Sequence, residues 1–397
     1  MSAAAAGQDA DDLRWMQHAI DAGALGTKAV RPNPRVGCAL VRGDTLLGLG
    51  FHQRCGGPHA EIEALHAASS AFGPGAARGA TAYLTLEPCN HHGRTPPCVD
   101  ALLAAGIARV VVAVRDPHPV AGGGLERLRA AGVAVAVGVA AEGAARLIEG
   151  FVVGVREQRA FVRLKMAASL DGQTAAQDGS SRWLTSPLAR ARVHAMRAEA
   201  DAVLVGSGTL LADDPRLNAR GELGAPGDPP LRVVVDRRLR TPPEAAFCDP
   251  ALGPSRLYTS GASADTAEAA ALRQRGVEVV GIDAVHDDPA SGDSAAPATG
   301  EGVLEDDTVA FLRAVLRDLR QRGQHEVLCE GGATLAAGLW RAGVVDRLEL
   351  MLAPLLLGRG VGLWPGLSVG TIGEAVRLEV DAVVRLGPDL HLSARRR

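Results

Sequence analysis

The chain reads as an α/β protein of two domains, and three observations carry that reading. Its 397 residues exceed a typical single domain and suit two. Short apolar runs of strand length alternate with segments of helical periodicity in both halves, the pattern of a layered α/β fold. A helical stretch over residues 142–157 runs out in Glu157-Gln158-Arg159, which sets the expected boundary between a domain over 1–157 and another over 158–397. The apolar share of 47% is ordinary for a globular protein and lets each half bury a core.

In the first half, residues 11–24 form an amphipathic helix, with Leu13, Met16, Ile20 and Leu25 at helical spacing. Arg31-Pro32-Asn33-Pro34 ends it. Residues 36–41 and 46–51 pair as strands around Arg42-Gly43-Asp44. The next helix spans 59–68, with Ile62 and Leu65 on its buried side. Pro58 stands just before it, where a missing N–H costs little. Residues 82–86 are a strand leading into Glu87-Pro88-Cys89, and 98–105 a helix stopped at Gly106. Strands over 110–114 and 133–137 flank a helix over 125–131.

Three short pieces carry the chemistry: Pro58-His59-Ala60-Glu61, Glu87-Pro88-Cys89 and Pro96-Pro97-Cys98. All lie at the ends of elements, where loops present reactive groups on a rigid frame. His59, Cys89 and Cys98 supply an imidazole and two thiolates, a tetrahedral zinc set that leaves its fourth position to water. Zinc brings the pKa of such a water to about 7. Glu61 is the carboxylate that takes the water's proton and returns it to a leaving amine. His-x-Glu followed by Pro-Cys-x-x-Cys marks zinc-dependent base deaminases. This chain departs from that spacing, since residues 90–97 separate Cys89 from Cys98. Two other readings stay open. One is a structural zinc closed by His52, Cys55, His91 or His92; the other is a pair of cysteines that are only small buried hydrophobes. Residues two apart on a regular helix diverge, so His59 and Glu61 can share a site only from an irregular first turn.

A formal net charge of −3 and an aromatic share of 3% argue against a nucleic-acid partner. The cysteines Cys38, Cys55, Cys89, Cys98, Cys248 and Cys329 are too sparse for a disulfide framework, and thiolate ligands suit a reducing compartment. Residues 1–9 carry no secretory pattern, and no run of about 18 apolar residues appears. A cytoplasmic protein with no membrane partner is expected.

In the second half, a strand over 161–166 ends in the turn-rich Ala168-Ser169-Leu170-Asp171-Gly172. Ser186 caps a helix over 187–200. Residues 202–205 are a strand running into Gly206-Ser207-Gly208-Thr209. Further strands fall at 231–235, 256–259, 277–280, 326–329, 347–352 and 390–392, with a helix over 309–321. Residues 283–302, rich in Asp, Ala, Ser, Gly and Pro, are expected to be a mobile loop. The strand 326–329 enters Glu330-Gly331-Gly332 and a helix reaching Trp340, an arrangement that can bind anions but by itself is a weak signal, more often only a tight turn. Gly206-x-Gly208 does not complete the dinucleotide fingerprint.

Residues 13–150 resemble the three-layer cytidine-deaminase-like zinc fold. The stretch His52-Gln53-Arg54, with Pro58–Glu61 and the run from Glu87 through Asn90-His91-His92-Gly93-Arg94 to Cys98, is similar to one branch: the pyrimidine deaminase of riboflavin biosynthesis, usually fused to a reductase. That branch carries the long insert between the cysteines, although Asn90 stands where Ser is more usual. The resemblance implies one zinc per chain on His59, Cys89 and Cys98, with Glu61 as catalytic proton shuttle. Asn33 and the loop His91-His92-Gly93-Arg94 would face the substrate.

The second half resembles the riboflavin-pathway reductase, through Lys165–Gly172, Trp183-Leu184-Thr185-Ser186, Leu211-Ala212-Asp213-Asp214-Pro215 and Glu330-Gly331-Gly332. That family implies a dihydrofolate-reductase-like fold with NADPH as cofactor. Contacts to the cofactor would come from Ala167, Trp183, Thr209 and Asp213, with its phosphates on Gly332, Ala333 and Thr334. Substrate would meet Ser181, Arg197, Leu217, Arg220 and Glu330, with Lys165 near the reacting ribose. Guanidinium donors match phosphate oxygens. Without the resemblance, Lys165 reads as a solvated strand-end charge and Asp213 as a turn-forming acid.

The resemblance implies a bifunctional enzyme. It would deaminate a diaminopyrimidinone bearing a phosphoribosylamino group, then reduce the ribosyl group to ribityl. The expected partner is that small molecule, with neither nucleic acid nor membrane, in a homo-oligomer. Rival readings are a nucleic-acid-editing zinc deaminase, a zinc-stabilised binding module without activity, and a deaminase whose reductase half is inactive.

Overall fold

The structure is a computed structural model describing residues 10–93, 96–118, 122–220, 228–283, 300–365 and 367–396. It separates into two compact units, Met1–Gln158 and Arg159–Arg397.

The first unit is a sheet between two helical layers. Its strands are β1 (Gly37–Arg42), β2 (Thr45–Phe51), β3 (Thr81–Leu86), β4 (Arg109–Val114) and β5 (Ala134–Val137), in the order β2-β1-β3-β4-β5. β1 runs antiparallel to β2 and β3, while β3, β4 and β5 are parallel. One face packs against Ala60, Ala64, Val99, Leu102 and Leu125, the other against Trp15, Met16, Ile20 and Ala144.

Small residues, more than large ones, decide how these helices sit. The helix Ala10–Ala24 buries Trp15, Met16, Ala19, Ile20 and Gly23. A Cβ on Gly37 would stand 1.9 Å from the Ala19 carbonyl oxygen, so backbone meets backbone there. That close approach turns Leu13 to the edge of the buried arc, and Leu25 falls past the helix end; both are exposed, contrary to the periodic reading. The helix Ala60–Phe72 likewise buries Ala60, Glu61, Ala64 and Ala68. A Cβ on Gly50 would lie 2.3 Å from the Ala64 nitrogen, so glycine admits the helix onto β2. Ile62 and Leu65 are therefore left half-buried on its flank. The expected helix over 142–157 is two helices, Ala141–Leu147 and Glu149–Glu157, broken at the buried Ile148.

The second unit contains β6 (Phe161–Ser169), β7 (Gln173–Ala176), β8 (Ala202–Gly206), β9 (Leu231–Val235), β10 (Ser255–Ser260), β11 (Glu278–Ile282), β12 (Glu326–Cys329), β13 (Arg347–Ala353), β14 (Gly360–Gly362), β15 (Leu378–Leu386) and β16 (Asp389–Arg396). Its large sheet has the order β11-β10-β9-β8-β12-β6-β13-β16-β15, and β7 pairs with β14 apart from it. β11 through β13 are parallel, and β16 is antiparallel to both of its neighbours. Parallel strands need both faces covered. The helices Gly300–Gln321 and Ala333–Arg341 cover one face, while Pro187–Glu199 and Ala267–Gln274 cover the other.

β6 runs three residues past its expected end because it stays paired with β13 as far as Ala353. β15 escaped the periodic reading because its side chains are mostly exposed, so no half-buried alternation marks it. Of the loop expected at 283–302, residues 284–299 lie outside the described residues and 300–302 begin a helix. Strand order positions the second site. From β8 the chain steps outward through β9, β10 and β11, then returns to place β12 on the other side of β8. Such a reversal opens a crevice at the carboxyl ends of the two strands.

Candidate functional site

In the first unit, three element ends converge. His59 is the N-cap of its helix, with extended backbone (φ −77°, ψ 166°), so its ring leaves the helical repeat and can share a site with Glu61. Cys89 follows β3, and Cys98 is the first residue of the helix Cys98–Ala104. His59 Nδ1 lies 3.3 Å from Cys98 Sγ and 3.7 Å from Cys89 Sγ. The ligand atoms of all three residues lie within 4.8 Å of one another, and no fourth His, Cys, Asp or Glu joins them among the described residues. One nitrogen and two sulfurs at this spacing fit a tetrahedral zinc.

The proposed fourth ligands do not come to this point. His52 is buried, with Nδ1 2.9 Å from the Pro58 carbonyl oxygen and Nε2 3.1 Å from Asn33 Nδ2. A carbonyl only accepts, so Nδ1 carries the hydrogen and Nε2 accepts from the Asn33 amide. Both ring nitrogens are thus occupied, and His52 orients Asn33 instead of binding metal. Cys55, His91 and His92 stand outside the group, and Arg94 lies outside the described residues.

Electrostatics set the protons at this point. Glu61 is 3% exposed, and burial pushes its carboxyl up, against its own backbone N–H and the His59 charge. Cys89 is pulled down to about 4, first by its hydrogen bond with the Cys98 thiol and then, against burial, by His59. The same sharing, with burial, raises Cys98. The hydrogen bond to Cys89 raises His59.

In the second unit, Arg197 binds Glu330 through two hydrogen bonds, Nε to Oε1 at 2.5 Å and Nη2 to Oε2 at 2.9 Å. Arg197 Nη1 also donates to the Asn218 carbonyl at 3.0 Å. Burial lowers the pKa of Lys165, the Glu330 charge opposes it, and Arg197 adds to the lowering. Burial raises the Glu330 carboxyl, but Arg197 and Lys165 outweigh it and hold it low. At the crevice, the Gly332 N–H donates to Thr209 Oγ1 at 2.8 Å, joining the turns after β12 and β8. Gly332 is the N-cap of the helix carrying Ala333 and Thr334. Asp213 accepts from Arg182 through its carbonyl at 2.7 Å, and Trp183 is 72% exposed with the Arg190 guanidinium over its ring. Ala167 lies on β6 near its carboxyl end, and Ser181 and Arg220 are exposed. Leu217 differs from expectation: its side chain belongs to the core, and its φ of 56° leaves only its backbone for a ligand.

Comparison with known proteins gives the same division. Residues 9–114 match the cytidine and deoxycytidylate deaminase zinc-binding region, and 160–392 match the RibD C-terminal domain. The riboflavin biosynthesis protein RibD of Escherichia coli is 37% identical over 399 residues, covering 96% of this chain and 99% of that protein. The chain belongs to the RibD family.

Two solved structures of the family align with nearly the whole chain. Acinetobacter baumannii RibD is 35% identical with a TM-score of 0.76, covering 97% of this chain and 99% of that one. A diaminohydroxyphosphoribosylaminopyrimidine deaminase/5-amino-6-(5-phosphoribosylamino)uracil reductase of Thermotoga maritima is 31% identical with a TM-score of 0.77, at the same coverage. RibD membership makes this chain a bifunctional riboflavin-pathway enzyme, with a zinc-binding deaminase region followed by a reductase domain of dihydrofolate-reductase-like fold. It favours that reading over a nucleic-acid-editing deaminase, and the reductase domain implies a nicotinamide cofactor. No helix among the described residues is long and apolar enough to cross a membrane.

One residue at the RibD deaminase site escaped the sequence reading. Glu87 is 4% exposed and accepts from the backbone N–H groups of Asp116, Gly123 and Leu125 at 3.3, 3.0 and 3.3 Å. It ties the segment after β4 to the turn carrying Cys89. The available signal was a carboxylate at the buried end of a strand, where it needs partners.

Proposed function

We propose that the first unit replaces the ring amine of a diaminopyrimidinone bearing a phosphoribosylamino group by oxygen from water, releasing ammonia. The second unit then reduces the ribosyl group to ribityl with a hydride from NADPH. The deaminase is placed over 1–157 and the reductase over 158–397. The observation that carries the reading is the convergence of His59, Cys89 and Cys98 to within 4.8 Å, at the start of the helix that also buries Glu61. The Thermotoga maritima relative is named for the same pair of activities.

In the first unit, His59, Cys89 and Cys98 would hold zinc, which would supply an acidified water near neutral pH. Glu61, its carboxyl raised by burial, accepts the water proton and hands it to the departing amine. Asn33, aligned by His52, offers its amide oxygen to the pyrimidine.

In the second unit, the nicotinamide cofactor supplies the hydride. Arg197 and Arg220 take the substrate phosphate, Glu330 fixes the Arg197 guanidinium, and the Leu217 backbone lies in the same segment. Lys165 stands beside Glu330 near the sugar, where the ring-opened carbon takes hydride and its oxygen or nitrogen takes a proton. Ala167, Trp183, Thr209 and Asp213 meet the cofactor and Ser181 the substrate, while Gly332, Ala333 and Thr334 present the helix N-terminus to the cofactor phosphates.

The test is incubation of zinc-replete protein with the diaminopyrimidinone ribosyl phosphate, with and without NADPH, and identification of each product by mass. Amine-to-oxo exchange should occur in both, and gain of two hydrogens only with NADPH. Reduction without prior deamination, or no ammonia release, would overturn the order or the chemistry.

A further inference from the structure

The helix Pro187–Glu199 turns one stripe, Arg190, His194 and Arg197, toward the site of the second unit. Residues spaced by four and then three lie on one helix face. Contacts fix both ends of the stripe. The Arg190 guanidinium lies over Trp183 at 4.5 Å from the ring centroid, and Arg197 holds Glu330. His194 stands between them. We infer that His194, with Asn218 beside it, receives hydroxyl groups of the ribosyl chain of the substrate, and so lets the site tell a sugar phosphate from an alkyl phosphate. This rests on the reading that Arg197 and Arg220 take the substrate phosphate, and adds the residues that recognise the carbons next to it.

One backbone group ties His194 to Arg197. The Asn218 carbonyl accepts from Arg197 Nη1 at 3.0 Å and also from the His194 ring. Nδ1 of that ring is buried without a hydrogen-bond partner among the described residues, so Nε2 is the nitrogen that donates. Burial, with the Arg197 and Arg220 charges, lowers the His194 pKa against the Glu330 charge and the Asn218 bond. The ring is therefore neutral near neutral pH, and Nδ1 keeps its lone pair. Asn218 Oδ1 is a second buried acceptor without a partner among the described residues.

Two such acceptors at one place call for donors. Buried polar groups in folded proteins are nearly all paired, and leaving one unpaired costs more than a good hydrogen bond contributes. The phosphate cannot serve, because near neutral pH it is mostly a dianion and only accepts. A sugar hydroxyl donates one hydrogen and fits the need.

Position agrees with that choice. Cβ atoms three residues apart on a helix are about 5–6 Å apart, so His194 lies one short step from the Arg197 guanidinium. A chain whose phosphate sits on Arg197 and Arg220 brings its nearest hydroxyl-bearing carbons there, while its reacting carbon extends toward Lys165. Leu217 sets the other side. Its left-handed backbone (φ 56°) and core-buried side chain turn the segment, and Asn218 follows with its carbonyl on Arg197.

The experiment measures, on the full chain, inhibition of NADPH oxidation by D-ribitol 5-phosphate, pentyl phosphate and inorganic phosphate. Pentyl phosphate has a carbon chain of the same length without hydroxyls. In the wild type, ribitol phosphate should bind about tenfold tighter than pentyl phosphate. His194→Leu should cut that ratio about threefold or more, and Asn218→Leu by a similar factor, while inorganic phosphate inhibits all three proteins alike. His194→Gln keeps an acceptor and should retain most of the preference. Thermal melting checks that the variants fold, and the wild-type preference is a test that needs none of them. No preference in the wild type, or a ratio that survives in His194→Leu, would overturn the hydroxyl assignment while leaving the phosphate site intact. Weakened inorganic phosphate in His194→Leu would overturn it too, by placing the ring at the phosphate. If none of the three probes inhibits the wild type, the phosphate reading falls and this assignment with it. A wild type that oxidises no NADPH would overturn hydride transfer and everything built on it.

Discussion

The deaminase site spans residues 59 to 98, whereas the proposed reductase contacts scatter from Lys165 to Thr334. That difference separates two ways in which a chain encodes a site. The first depends on side-chain identity: an imidazole, two thiols and a carboxyl brought together by three neighbouring element ends. The second depends on strand order, because its crevice exists only where the chain reverses between β8 and β12. If the two sites are chemically separate, a change in one should leave the other working.

The largest expected effect tests that separation. Glu61→Gln keeps the shape of the side chain but removes the proton carrier. Ammonia release should fall by up to about 10⁴-fold, or about 5 kcal/mol of barrier. NADPH oxidation on the already deaminated substrate should stay at the wild-type rate. Loss of both activities in a protein that melts normally would show that the sites do not work separately.

This contrast also explains what was legible beforehand. Metal ligands announce themselves, so His59, Cys89 and Cys98 could be singled out despite the long gap between the cysteines, and the structure brings their donor atoms together. The α/β class was legible because strand runs such as β9 are buried throughout. Packing by small residues was not legible. Nothing in the spacing of Leu13 and Leu25 indicates that Gly37 and Ala19 will press two backbones together and turn the helix. The burial of Leu217 was hidden for a related reason, because a residue in an irregular segment carries no period.

The next effect sharpens the comparison from the reductase side. Glu330 neutralises Arg197 through two hydrogen bonds and also faces Lys165. Removing one partner of a buried ion pair costs about 3–5 kcal/mol, because the other charge is left without compensation. Glu330→Gln should therefore destabilise the second unit by about that amount and raise the KM for the phosphorylated substrate. Hydrogen exchange should show the loss at β6 and β12 while the first unit keeps its protection and its ammonia release. Equal loss of protection in both units would show that they are not separately stable.

The smallest effect compares two buried carboxyls, one in each unit. Burial pushes both up, yet Glu61 ends above its ordinary value and Glu349 is brought down to about 2. The difference is countercharge. Glu349 accepts from Arg163 at 2.9 Å and pairs with His391 at 2.8 Å, and these contacts outweigh the loss of water. A carboxyl whose folded pKa is depressed adds stability above its unfolded value and loses it as pH falls toward the folded one. The Glu349 contribution is thus complete above about pH 4.5 and disappears toward about pH 2. A displacement of that size corresponds to roughly 3 kcal/mol. Protection of the β6 and β13 amides should therefore fall with acid below pH 4.5 in the wild type and fall less steeply in Glu349→Gln. An identical acid limb in the two proteins would mean that Arg163 and His391 do not hold this carboxyl ionised, and that burial alone governs both units.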